Sequence, residues 1–88
     1  MPDCNELLSR ARANPKGVRF EELCQLAECF GFVQKHTKTR GSHRIYKRPG
    51  VWNLMNFQDD DGMAKAYQVR QLVAAIDELS RTEDGSEE

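Results

Sequence analysis

Two histidines, His36 and His43, stand in a run of cations. From Lys35 to Arg48 the chain carries Lys35, Lys38, Arg40, Arg44, Lys47 and Arg48 and no acid. A histidine exchanges protons near neutral pH. Lysine and arginine hold phosphates and stabilise the charge that develops on them during reaction. Together these residue types point to phosphodiester chemistry on RNA, which supplies its own nucleophile in the 2′-hydroxyl, so that neither a metal nor a cofactor is called for. His43 is the stronger candidate for acid/base work. It follows Gly41 and Ser42, where the glycine lets a phosphate approach the backbone and the serine hydroxyl is placed to orient a ligand or the ring. His36 is a secondary candidate. Tyr46, Tyr67, Lys35 and a bound water are the others for a second proton transfer. Lys35, Lys38, Arg40, Arg44 and Lys47 are assigned to RNA phosphates on charge and proximity. The competing reading is a solvated hairpin whose histidine is merely structural.

The formal net charge of -1 over 88 residues conceals this basic block. Residues 1–9 carry two acids and no base; residues 10–48 carry ten Lys and Arg against three Glu; residues 49–88 carry three bases against nine acids. A balance of -2, +7 and -6 is therefore a cancellation, and the middle segment has the charge of a polyanion-facing surface. A chain of this length buries only about 60% of its unfolded surface, which excludes a large barrel, a dinucleotide-binding sheet or a deep substrate cavity. Any chemistry belongs on a shallow surface.

The elements that must position these residues follow from spacing. Asp3 with Glu6 three residues later predicts a cap, and Cys4, Leu7, Leu8 and Ala11 form one stripe of a helix over about 5–13, broken at Asn14-Pro15-Lys16-Gly17. Phe20, Leu23, Cys24, Ala27 and Phe30 recur at helical spacing and predict a second helix that stops at Gly31. From Phe32 the pattern turns to β-branched and aromatic residues among basic ones. It predicts a strand opening at Phe32 and Val33, a turn over Thr37 to Gly41, a strand over Ser42 to Lys47, a turn at Arg48-Pro49-Gly50, and a third strand over Val51 to Gln58. Alternation sets His43 and Ile45 on one face and Arg44 and Tyr46 on the other, without saying which face is buried. Asp59-Asp60-Asp61-Gly62 reads as a polar loop; a calcium loop would need spaced oxygens and a glutamate at its twelfth position, which are lacking. Val69, Leu72, Val73, Ile76 and Leu79 stripe a last helix, and the acidic residues 81–88 are expected to be disordered.

This order predicts an α+β two-layer sandwich, a three-stranded antiparallel sheet with helices on one face and an extra N-terminal helix. The three cysteines, Cys4, Cys24 and Cys29, are odd in number and match no C-x-x-C pattern. They are expected to be free, with Cys24 packed as a small hydrophobe and Cys29 toward the polar side. With no apolar run of membrane-spanning length and with acids where a signal peptide would be basic, a cytoplasmic location is expected and no membrane partner.

The stretch Arg40-Gly41-Ser42-His43-Arg44-Ile45-Tyr46-Lys47-Arg48-Pro49-Gly50 resembles the signature hairpin of the HicA family, the mRNA interferase toxins of type II toxin-antitoxin systems. Phe20 to Gly31 is similar to that family's first helix, Leu54 to Gln58 to its third strand and Tyr67 to Leu79 to its closing helix, so the likeness spans about Val18 to Leu79. The resemblance implies a fold like the double-stranded-RNA-binding domain, cleavage of mRNA without a metal, and neutralisation by a HicB-like antitoxin that covers the site. It carries His43 over as the catalytic acid/base, with Gly41 and Ser42 shaping its surroundings. On this reading residues 1–17 are a helical extension, 18–80 the RNA-binding and RNA-cleaving domain, and 81–88 an acidic tail. The added helix, the aspartate cluster and the tail depart from the family's small basic pattern. The alternative is a module of the same fold that binds RNA without cutting it.

Overall fold

The computed structural model describes residues 3–35, 43–51 and 54–85. The order is α1 (Cys4–Ala13), a 3₁₀ turn (Pro15–Gly17), α2 (Phe20–Cys29), β1 (Val33–Lys35), β2 (His43–Lys47), β3 (Met55–Asp60), β4 (Met63–Ala64) and α3 (Ala66–Gly85). The sheet is antiparallel throughout, in the order β1-β2-β3-β4. The molecule is an α+β protein, as the sequence predicts, with one strand more than expected.

The first two helices are bounded by signals in their sequence. Asp3 caps α1, its carboxylate accepting from the Glu6 N–H at 2.8 Å. At the start of α2 the Glu22 carboxylate reaches back to accept from the Arg19 N–H at 3.0 Å. That helix ends in a Schellman arrangement, with Phe32 N–H to Ala27 O at 3.0 Å and Gly31 N–H to Glu28 O at 3.2 Å. Gly31 has φ +94, and a Cβ there would stand 2.8 Å from Arg48 Nε. Arg48 in turn donates from Nε to Phe30 O at 2.7 Å, closing the end of α2. One cation of the basic run thus serves the fold.

The core lies between the helices and one face of the sheet. Leu23, Leu26, Ala27, Val69, Leu72 and Ile76 from the helices meet Tyr46, Met55 and Phe57 from the strands, all buried. Registers Arg44↔Phe57 and Tyr46↔Met55 set these residues on one face, and the Tyr46 and Phe57 rings lie 5.5 Å apart on it. Helix α1 also belongs to this core, through buried Leu7 and Ala11. Its arginines pair outward, Arg10 with Glu22 at 3.2 Å and Arg12 with Asp77 at 2.6 Å. Residues 3–17 of the expected extension are thereby packed into the same body as the rest.

Three expectations are corrected. First, the aspartate loop is a hairpin: Asp61 and Gly62 both have positive φ, 56 and 88, the requirement of the tight two-residue turn that Asp-Gly favours. It lets Asp59 and Asp60 pair with Ala64 and Met63. The Asp59 carboxylate accepts from the Gly62 N–H at 2.6 Å. The outer side of β4 is closed by the chain entering α2, through Phe20 N–H to Gly62 O and Ala64 N–H to Val18 O. Second, Cys4 and Cys29 form a disulfide, while Cys24 is free and buried. Two helices of equal length joined by a short turn run antiparallel, so the first residue of α1 meets the last of α2, with Cα atoms 5.8 Å apart. Third, α3 continues through residues 81–85, where a disordered tail was expected.

Candidate nucleic-acid interface

Strand β2 decides the site. Tyr46 is 0% exposed and enters the core; alternation therefore turns His43, Ile45 and Lys47 to the opposite face. The registers Val33↔Lys47, Lys35↔Ile45, Ile45↔Asn56 and His43↔Gln58 extend that face across three strands. His43, Lys35, Lys47 and Asn56 are exposed on it, Ile45 and Gln58 partly so, and Val33 is 63% exposed. Among the described residues no helix covers this face, and no carboxylate pairs with Lys35, His43 or Lys47. A proton-exchanging imidazole and two cations thus share one open, shallow surface, with the nearest apolar patch formed by Ile45 and Val33.

The other candidates are dispersed. Arg44, expected beside His43 as a phosphate ligand, leaves β2 toward the helices, where its guanidinium lies 5.1 Å from the centre of the Phe20 ring. Tyr46, expected as a proton partner, is removed from that role by burial: its hydroxyl donates to Glu28 Oε2 at 3.0 Å. Burial and the neighbouring Cys24 and Glu28 push its ionisation far above the ordinary phenol value. Burial likewise pushes the Cys24 thiol up, which disfavours its thiolate. Tyr67 is 61% exposed at the start of α3, on the far side of β3, with its hydroxyl accepting from Gln68 Nε2 at 3.2 Å. His36, Lys38, Arg40, Gly41 and Ser42, and the turn expected over 37–41, lie outside the described residues.

Gln68 belongs to the site's frame, and spacing did not single it out. It is 5% exposed, the one buried polar residue among those described, and its Oε1 accepts from the Gln58 N–H at 2.8 Å. A glutamine on the apolar stripe of the last helix is the signal that marks it, because a buried amide needs partners. A separate cleft of about 250 Å³ lies among the helices, lined by Leu7, Arg10, Asn14, Val18, Glu22 and Leu26; its one ion pair, Arg10 with Glu22, is internally satisfied.

No protein-family model, curated protein or solved structure matches this chain. No helix among the described residues is long and apolar enough to cross a membrane.

Proposed function

We propose that this chain is a metal-independent endoribonuclease of the HicA type, an mRNA interferase that works through His43 and is neutralised by a HicB-like antitoxin. The observation that carries the reading is the exposure of His43 on an uncovered sheet face together with Lys35 and Lys47, with no carboxylate among the described residues to pair any of them. In the reaction, the neutral imidazole takes the proton of the RNA 2′-hydroxyl, and the 2′-oxygen forms a bond to the adjacent phosphorus. The bond from phosphorus to the 5′-oxygen breaks, that oxygen takes a proton from water as it leaves, and the imidazolium returns its proton to the hydroxide so formed. Lys35 and Lys47 stabilise the charge growing on the phosphoryl oxygens. The chemistry needs only a shallow face because the substrate brings the nucleophile.

The reading places the protein with mRNA in the cytoplasm. Disulfides are rare there because thiols are kept reduced, so Cys4 and Cys29 would act as a dithiol in that setting. The second reading, RNA binding without cleavage, is favoured by the turning away of Tyr46, which removes one of the expected partners for the second proton transfer from the His43 face.

Purified parent protein and His43→Ala, incubated with total RNA in buffer containing EDTA, separate these readings, with growth followed on expression of each. The parent is expected to degrade RNA and arrest growth, and His43→Ala to do neither while keeping the parent's circular dichroism. RNA left intact by the parent supports the binding module. Equal cleavage by both proteins removes His43 from the mechanism.

A further inference from the structure

The register of β2 against β3 sets Gln58 opposite His43, and it is the one residue among those described that is cross-strand to the histidine. The Gln58 backbone N–H points away from β2, since it donates to Gln68 Oε1 at 2.8 Å. In an antiparallel ladder that makes His43 and Gln58 a non-hydrogen-bonded pair, the kind whose side chains approach most closely, with Cβ atoms about 4.5–5.5 Å apart. Both side chains rise from the open face. Gln68 is buried and belongs to the first turn of α3, so the long core helix clamps β3 at the residue that faces the histidine.

Resting on the endoribonuclease reading, we infer that Gln58 is the positioning residue for His43: its side-chain carbonyl accepts from one imidazole N–H and so fixes which ring nitrogen faces the phosphodiester. An amide suits this task. It directs the ring by a hydrogen bond and adds no charge that would hold the imidazole in its protonated form. The charged groups around the pair are Lys35 from β1, Lys47 from β2, and Asp60 two residues along β3, the last with Lys65 Nζ at 3.8 Å. Arg44 occupies the opposite face. From β4 and α3, no carboxylate reaches this face among the described residues other than through the Asp60 end of the hairpin.

The test compares the parent with Gln58→Ala and Gln58→Glu, using a single-stranded RNA oligonucleotide of mixed sequence in EDTA and an NMR titration of the two histidine rings. In Gln58→Ala, kcat is expected to fall about tenfold, the cost of one directional hydrogen bond, while KM stays within about twofold because no phosphate contact is lost. In Gln58→Glu the carboxylate favours imidazolium. The acid limb of the pH-rate profile and the NMR midpoint of His43 are then both expected to move up by about half a pH unit, with that of His36 unchanged. A purely structural role would move neither midpoint. Cleavage by the parent with unaltered kinetics and an unmoved His43 midpoint in both variants overturns the inference alone. Absence of cleavage by the parent overturns the endoribonuclease reading and the positioning role with it, and the His43 midpoint then still decides whether the two side chains meet.

Discussion

Tyr46 donates its hydroxyl to Glu28 across 3.0 Å, tying the C-terminal half of β2 to the last turn of α2. Because side chains alternate along a strand, this bond also fixes where His43 goes: with Tyr46 in the core, His43 must face out. The orientation of the candidate catalytic histidine is thus decided by a tyrosine three residues away.

The Tyr46 pair makes the fold sensitive to alkali. Its ionisation is raised in the folded state above the ordinary value of 10.0, so the stability it contributes is fully present below about pH 10 and is lost as pH rises from there, where the unfolded chain releases the proton first. Cys24, also raised from 9.0 by burial, adds to the same trend. Urea melts between pH 7 and 11 are expected to show falling stability, with a shallower fall in Tyr46→Phe. At neutral pH that variant loses about 1 kcal/mol with the hydrogen bond. An equal pH slope in both proteins contradicts the assignment.

Reduction of the Cys4–Cys29 bond is expected to weaken the fold without abolishing it. The cross-link spans a sequence separation of 25, and closing a loop of that size is worth about 3 kcal/mol through the unfolded chain. Leu7 and Ala11 keep α1 docked when the bond is gone. Thermal melts with and without a dithiol, beside Cys4→Ser, check this; the variant should match the reduced parent and be insensitive to the dithiol.

On the proposed function, RNA affinity is expected to depend on the face a cation occupies. Lys35→Ala and Lys47→Ala should each weaken binding and reduce the slope of log K against log salt by about 0.7, the value for one phosphate contact on a single strand. Arg44→Ala should change the slope less, because its guanidinium lies over Phe20 on the other side of the sheet. Fluorescence anisotropy on a labelled RNA at several salt concentrations, using His43→Ala as a background expected to leave the RNA uncut, reads all three.

Gly31→Ala is expected to destabilise the protein by about 1–3 kcal/mol, the usual cost of a side chain held at positive φ. Here a second effect adds to it, since the new Cβ meets Arg48 Nε at 2.8 Å and disturbs the bond that closes α2. Chemical denaturation measures the loss. Gly62→Ala, at φ +88 but with open space around it, should cost less.

The sequence alone determined the local structure, because caps, breaks and stripes act over a few residues: Asp3 before α1, Gly31 after α2, Pro49-Gly50 in the turn before β3, and the periodic faces of the helices were all legible. The Asp61-Gly62 hairpin was equally local, a turn signal outweighed by the polarity of its neighbours. Other features depended on residues distant in sequence. Alternation divides β2 into two faces but carries no sign, and only the packing of Tyr46 against Phe57 and Glu28 chose the buried one. That choice kept His43, Lys35 and Lys47 together and sent Arg44 and Tyr46 away. The Cys4–Cys29 bond required two helices to fold back on each other, and the pairing of Gln58 with His43 required a strand register. Chain patterns set what each segment becomes, whereas burial of a common core decides which side chains share a surface, and for this protein the candidate chemistry lies in that second decision.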